Sequence, residues 1–438
     1  MLTLSMAAEA MQGILTSADA PFMGVVSDSR HIKAHDLFFA LEGVRHDGHQ
    51  FAKDALAKGA AGIVAHKKLG LGEILVNDTK KALLALAAFW RNHFAIPVVA
   101  VTGSCGKTTV KEMIAHLLPG KVHKTPGNWN NDIGLPLSLL SLRQEHDYAV
   151  FEVGMNQPGE IALLASILKP DIAVITNIYP AHLQGLGSLQ AIAAEKASLF
   201  DALPPKGIAI INADDAFLPF FLQHTQGKTA ISAGFAEHAD IRGFMEDKML
   251  WARTPHGEWL LSETSIGHHE ALNMLLSFAV LWALQPLPSS QPAFGTWQGV
   301  PQRLTLRRGK NGMLILDDTY NANPGSMAAA IDVLAGYPGK KILIFGDMGE
   351  LGDEAPYWHR WVGEYGAKAG IDMLWTAGDL ARLAHETFGG QGYHFPDILS
   401  LLSAIDAHLT GPSTILVKAS RAMHFEQVVQ ALEETPCS

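Results

Sequence analysis

The sequence predicts an α/β chain of three domains: a small N-terminal α/β domain at 1–80, a central P-loop domain with a mainly parallel sheet at 81–300, and a C-terminal Rossmann-like domain at 301–438. Three observations carry this expectation. Short apolar runs alternate with helix-patterned segments along most of the chain, as parallel strands covered on both faces require. The stretch Thr102–Thr109 (TGSCGKTT) follows one such run and opens a helical pattern. Between Gln285 and Arg303, Pro, Gly and Ser interrupt every periodicity and mark a boundary. With 438 residues, 48% of them hydrophobic, the chain is too long for one core.

In order along the chain, Asp36–Leu41 and Gly62–Ala65 read as strands of the first domain, separated by a helical pattern from Phe51 to Lys58 that Gly59 stops. A helix from Thr79 to Arg91 leads to the strand Ile96–Val101, and Val150–Val153, Ile172–Ile175 and Ile208–Ile211 are the other clear central strands. The most apolar stretch, Ala271–Leu287, contains Asn273 and Ser277 and ends at prolines, so a buried helix is expected rather than a membrane span. In the third domain the expected strands are Leu314–Leu316, Ile342–Phe345, Met373–Trp375 and Ile415–Val417.

A formal net charge of −10 argues against a nucleic-acid or anionic-membrane partner. The two cysteines, Cys105 and Cys437, have no disulfide or zinc spacing, and a reducing cytoplasm fits best. The N-terminus lacks a basic segment and carries Glu9, which argues against a signal peptide. A monomer without an integral membrane segment is expected.

The common phosphate-loop pattern is G-x-x-x-x-G-K-[ST]; here Gly106-Lys107-Thr108 supplies its second half, while Val101 stands where the first glycine belongs. Gly103 must then make the early turn. Glycines let backbone N–H groups converge on phosphate oxygens, the helix N-terminus adds a positive dipole end, and Lys107 neutralises β/γ charge. Thr102, Gly103, Ser104, Cys105, Gly106, Lys107, Thr108 and Thr109 are therefore the candidate ATP-binding residues, with Thr108 able to ligate Mg2+ through its hydroxyl. Glu152 ends a hydrophobic strand, where a carboxylate reaches Mg2+ from the neighbouring strand; the bland reading is a solvated strand-end carboxylate. Cys105, near a helix N-terminus, is expected to have a lowered thiol pKa.

TGSCGKTT, followed by Thr125-Pro-Gly-Asn-Trp-Asn-Asn-Asp-Ile-Gly-Leu-Pro136, resembles the Mur ligases, ATP-dependent amide-forming enzymes of bacterial cell-wall synthesis. The resemblance runs along nearly the whole chain, through Asn177–His182, Glu195-Lys196, Gly267–Asn273, Arg303 and Asp317–Pro324. Within the family, Asp317–Pro324 (DDTYNANP) and Gly346–Gly352 (GDMGELG) look like the branch that joins D-alanyl-D-alanine to UDP-N-acetylmuramoyl-tripeptide; other branches spell these stretches D-Y-A-H-T-P or D-G-A-H-N-P. Position 105, commonly Asn in the family, is Cys here.

The resemblance implies that ATP phosphorylates the tripeptide's terminal carboxylate and that the amine of D-alanyl-D-alanine attacks the acyl phosphate. It implies Lys107, Glu152, His182 and Lys196 as catalytic residues and Thr108, Glu152, His182 and Lys196 as the Mg2+ site. Lys196 would be carbamylated, which burial near positive charge favours by depressing the lysine pKa; the alternative is a salt-bridged helix lysine. Asn273 and Arg303 match contacts to adenine and a phosphate, and Asp318 a contact to ribose. The bland readings are a helix cross-link for Asn273 and solvated charge for the other two. Ser29, Arg30, Gly43 and Asp47 look like UDP-sugar and peptide contacts, against a plain turn held by Asp28 and Gly43. Asn128, Asn130 and Asn131, on a loop after the first central helix, would orient the muramoyl-peptide, against simple Asx turns. Tyr320, Asn321, Asn323 and Asp347, near strand ends, would recognise the amine substrate, against turn and cap chemistry. A P-loop phosphotransferase or mechanochemical NTPase, a folylpolyglutamate-type ligase and an ATP-regulated binding module stay open as alternatives.

Overall fold

A computed structural model describes residues 2–43, 46–180, 183–263, 267–285 and 291–434. Among the described residues the fold is α/β, with three larger sheets and a two-stranded pair at the N-terminus. The first has five strands in the order Ile14–Leu15, Ile74–Leu75, Gly62–Ala65, Asp36–Phe39 and Gly24–Val26, parallel except for the first pair. The helix Thr79–Arg91 then begins, capped by the Asp78 carboxylate, which accepts from the Lys80 and Lys81 amides.

The central sheet has nine strands. From one edge they run Val122–Lys124, Tyr148–Glu152, Val98–Thr102, Ile172–Ile175, Ile208–Asn212, Thr229–Gly234 and Ile241–Glu246, all parallel; Met249–Thr254 and Gly257–Ser262 then turn back antiparallel. Chain order reverses direction at Val98–Thr102: the chain first moves toward the Val122–Lys124 edge and then returns past it to Ile172–Ile175. That reversal opens a crevice beyond the strand C-termini, where ligands of such sheets bind. Helix His268–Leu284 and helix Lys107–Leu117 pack together on one face of the sheet, burying Leu275, Phe278, Met113 and Ile114. The expected buried helix over the apolar stretch is therefore present. Among the described residues no helix is long and apolar enough to cross a membrane.

The third sheet has six strands, Thr305–Arg308, Leu314–Asp317, Thr414–Lys418, Lys341–Gly346, Met373–Ala377 and Gln391–Phe395, with only the first pair antiparallel. Both of its faces are covered. All the strands read from sequence are present. Those not foreseen include Thr229–Gly234 within the central sheet, the short strands Ile14–Leu15, Gly24–Val26 and Ile74–Leu75 of the first domain, and, toward sheet margins where polar residues break the apolar run, Val122–Lys124, the antiparallel meander from Ile241 to Ser262, Thr305–Arg308 and Gln391–Phe395.

Candidate active site

The phosphate loop leaves the strand Val98–Thr102 and enters the helix at Lys107. Gly103 has φ +150° and Gly106 φ +82°, conformations that L side chains rarely adopt, so the early turn does fall to Gly103 while Val101 stays in the buried strand. A Cβ on Gly103 would sit 1.8 Å from the Thr176 hydroxyl oxygen, and one on Gly106 2.6 Å from Asn273 Oδ1. Asn177 grips the loop: its carbonyl accepts from the Ser104 amide at 2.9 Å and its side-chain oxygen from the Cys105 amide at 2.8 Å. These two amides are thus engaged within the protein. The first-turn amides of the helix that follows have no acceptor within it and stand at the crevice.

Around this loop the central and third domains enclose a cavity of about 400 Å3. Thr108 is its pivot. Its hydroxyl donates to Glu152 Oε2 at 2.7 Å and accepts from the Arg303 guanidinium, also at 2.7 Å. Glu152 is 2% exposed, and its other oxygen accepts from Asn130 Nδ2 at 2.7 Å, so it is a buried, doubly held carboxylate and not a solvated strand end. Arg303 lies across the Tyr320 ring of its own domain, 4.1 Å from the centroid, which steadies the guanidinium, while its bond to Thr108 joins the two domains over the phosphate loop. Lys107 reaches back to the Gly103 carbonyl at 2.8 Å; burial pushes its ammonium pKa down, and nearby Glu152 partly offsets this.

Asp318 is buried and receives Lys418 Nζ at 2.6 Å, which also holds the Asn321 carbonyl at 2.8 Å. The solvated-charge reading fails for Asp318 as it does for Arg303. Asn323 caps the helix Pro324–Ala335 with a reciprocal Ser326 bond, and its side-chain oxygen also accepts from Cys105 Sγ at 3.1 Å. Cys105 is half-buried, and desolvation pushes its thiol pKa up. The expected lowering is wrong: the helix end is present, but the third domain covers the sulfur and the burial outweighs it.

The cavity brings together Ser104, Cys105, Gly106, Lys107, Thr108 and Thr109 with Glu152, and around them Asn128, Asn130, Asn131, Asn273, Arg303, Asp318, Tyr320, Asn321 and Asn323. Thr102 and Gly103 lie behind it in the strand and turn. The three asparagines are on a loop that follows the strand Val122–Lys124, so a strand separates them from the phosphate-loop helix. Asn131 makes the foreseen Asx turn, accepting from the Gly134 amide at 2.8 Å. His182 lies outside the described residues.

Lys196, on the helix Leu189–Asp201, is 1% exposed and does not line the cavity. Burial first, and the charge of Lys107 second, push its pKa well below the ordinary lysine value. Asp347 also stands apart, its carboxylate accepting from the Leu380 and Ala381 amides at 3.1 and 2.7 Å, which is the cap chemistry weighed against a substrate role. In the first domain Asp28 holds a turn and binds the exposed Arg30 side chain, while the buried Ser29 offers its carbonyl to Lys58. The Gly43 amide closes a turn onto His46, and Asp47 pairs with His49 and Lys67. None of these four positions lines the central cavity.

Sequence reasoning passed over Lys418, Glu350 and Arg421, which line the same cavity. Lys418 carries a readable signal, a lysine closing the apolar strand Thr414–Lys418 at the C-terminal edge of the sheet.

The Mur ligase middle domain matches residues 101–281, the Mur ligase glutamate ligase domain residues 302–421, and the Mur ligase family catalytic domain residues 21–91. The UDP-N-acetylmuramoyl-tripeptide--D-alanyl-D-alanine ligase of Escherichia coli K12 is 38% identical, the match covering 99% of this chain and 98% of that protein. A crystal structure of MurF from Acinetobacter baumannii superposes with a TM-score of 0.87 at 32% identity, over 97% of each chain. MurF ligase from Thermotoga maritima, solved in complex with ADP, gives 0.82 at 29% identity over 93% of this chain and 96% of that one.

Proposed function

This chain belongs to the Mur ligase family, and from that premise we propose that it joins D-alanyl-D-alanine to UDP-N-acetylmuramoyl-tripeptide in an ATP-dependent, carbon–nitrogen bond-forming step of peptidoglycan synthesis. The observation that carries the reading is the Thr108 hydroxyl. It is shared between buried Glu152 of the phosphate-loop domain and Arg303 at the head of the third domain, in a cavity floored by a phosphate loop.

The tripeptide's terminal carboxylate attacks the γ-phosphorus of ATP, and ADP leaves. The amine of D-alanyl-D-alanine then attacks the acyl carbon, and phosphate leaves as the amide forms. No protein nucleophile is needed, because ATP supplies the activation and the protein must align two anions that repel each other in water. Lys107 and the first-turn amides neutralise the β- and γ-phosphates; Arg303 joins them from across the junction. Asn273 and Asp318 hold the adenosine. Asn128, Asn130 and Asn131 orient the muramoyl-peptide, and Tyr320, Asn321 and Asn323 receive the amine. Asp347 supports that end through the turn it caps. Ser29, Arg30, Gly43 and Asp47 of the domain at 1–80 take the UDP portion, while 81–300 and 301–438 close on ATP.

The all-oxygen pair of Thr108 and Glu152, the latter a buried carboxylate, suits a hard divalent cation. Thr108 and Glu152 would hold Mg2+, with His182 and a carbamylated Lys196 assigned to the same site by the family resemblance, and the ion would supply charge neutralisation for the phosphates. The low proton affinity that burial imposes on Lys196 favours the neutral amine that carbamylation requires. We place the enzyme in the cytoplasm as a monomer.

The acyl-phosphate route is tested with tripeptide substrate carrying 18O in its terminal carboxylate. One labelled oxygen should appear in the released phosphate; unlabelled phosphate alongside amide product would rule the route out.

A further inference from the structure

One turn beyond Lys107, the same helix carries Lys111, which is 0% exposed. A fully buried ammonium is stable only with close partners. Lys111 Nζ donates to the Thr125 carbonyl at 2.7 Å and to the Gly127 carbonyl at 3.4 Å, and pairs with Glu112 Oε1 at 2.9 Å. Glu112 in turn binds Lys124, the last residue of the strand that feeds this loop.

Both carbonyls belong to the loop that carries Asn128 and Asn130. The other side of that loop is tied to Glu152: the Thr125 hydroxyl accepts from the Glu152 amide at 2.9 Å, and Asn130 Nδ2 donates to the Glu152 carboxylate. Lys111 therefore fastens the loop to the phosphate-binding helix from beneath, while Glu152 fastens it from the catalytic side.

We propose that Lys111 is a positioning residue that sets the Thr125–Asn131 loop against the phosphate-loop helix, so that Asn128 and Asn130 meet the muramoyl-peptide at a fixed distance from the γ-phosphate held by Lys107. This rests on the reading of that loop as a muramoyl-peptide contact. Lys111 touches neither substrate; it acts through two backbone carbonyls. The proposal does not depend on how ATP itself is held, because the Lys111 ammonium is held by the loop carbonyls and Glu112, one turn past Lys107, Thr108 and the first-turn amides.

The test compares Lys111→Met, which keeps the aliphatic bulk and loses the donor and charge, with Asn128→Ala and the unaltered enzyme. KM for UDP-N-acetylmuramoyl-tripeptide is read from turnover, and ADP affinity from calorimetry. A folded Lys111→Met should show the tripeptide KM raised at least tenfold with ADP affinity within about threefold of the unaltered enzyme. A purely structural role would lower the active fraction and leave KM alone, and that result overturns the proposal. Should Lys111→Met fail to fold, Lys111→Arg decides in the same way: it keeps the charge, but its planar fork cannot seat on both carbonyls, so KM should again rise; a folded Arg variant with unchanged KM contradicts it. If Asn128→Ala raises KM and neither Lys111 variant does, Lys111 alone is misread. An unchanged KM in Asn128→Ala removes the loop reading and the proposal with it.

Discussion

At the scale of single residues, what decides the chemistry is burial, which one sequence does not display. Glu152 and Asp318 are legible as acids at strand ends, but their value lies in being enclosed and held, by Thr108 and Asn130 in one case and Lys418 in the other. Cys105 shows the converse. Its place before a helix is readable and suggests an activated thiol, yet desolvation raises its pKa and outweighs the lowering by the Asn323 hydrogen bond and the nearby cations. Lys196 is buried near Lys107, and burial first and that charge second push its pKa well below the ordinary lysine value. We predict that Lys196→Ala is inactive and regains part of its turnover with added short carboxylates, which replace the missing anion. A fully active Lys196→Ala would show that the residue serves packing only.

At the scale of elements, the long apolar strands and the strand–loop–helix of the phosphate site were readable because both faces of those strands are buried. The meander after Ile241 was not. Its first turn, Asp247-Lys248, has both residues at positive φ, as a tight hairpin requires, but lacks the Asn-Gly or Asp-Gly spelling that signals one. Gly106 shows what the phosphate-loop turn demands. Gly106→Ala should cost on the order of 1–3 kcal/mol through strain at positive φ, and should also weaken ATP binding by pressing on Asn273. Thermal unfolding and nucleotide titration measure the two effects, and an unaltered variant in both would refute the strain argument.

The short strand Val122–Lys124, also missed, buries His123 against Phe151 and Ser138. Burial, with the charges of His146 and Arg143, pushes the His123 pKa down to about 4. The fold therefore holds a neutral imidazole, while the unfolded chain takes up a proton near its ordinary value of about 6.5. The resulting stability is fully present above about pH 6.5 and is lost as pH falls toward 4, by an amount of order 3 kcal/mol. His123→Leu should flatten the acid limb of a plot of unfolding free energy against pH between 7 and 4.5. A slope equal to that of the unaltered protein would assign the acid sensitivity elsewhere.

At the scale of the whole molecule, the site exists only where two sheets meet. Arg303 comes from the start of the third domain, Thr108 and Cys105 from the central one, and the contacts of Arg303 with Thr108 and of Cys105 with Asn323 span the junction. The alternation of apolar runs with helical patterns made the three-domain α/β plan legible, and the spelling of distant motifs made the reaction legible. How the pieces face one another was not, because interdomain contacts such as Arg303 on Thr108 involve residues far apart in sequence with no shared periodicity. The same distance applies to Ser29, Arg30, Gly43 and Asp47, which the fold keeps outside the central cavity and which we assign to the remote end of a long substrate.

The most direct test of this account is to incubate the purified chain with ATP, Mg2+, UDP-N-acetylmuramoyl-tripeptide and D-alanyl-D-alanine and to quantify products by mass spectrometry. The account predicts UDP-N-acetylmuramoyl-pentapeptide and ADP in equal amounts, with neither formed when D-alanyl-D-alanine and the tripeptide are both withheld. ADP released without pentapeptide, in a preparation that turns over ATP, would contradict it.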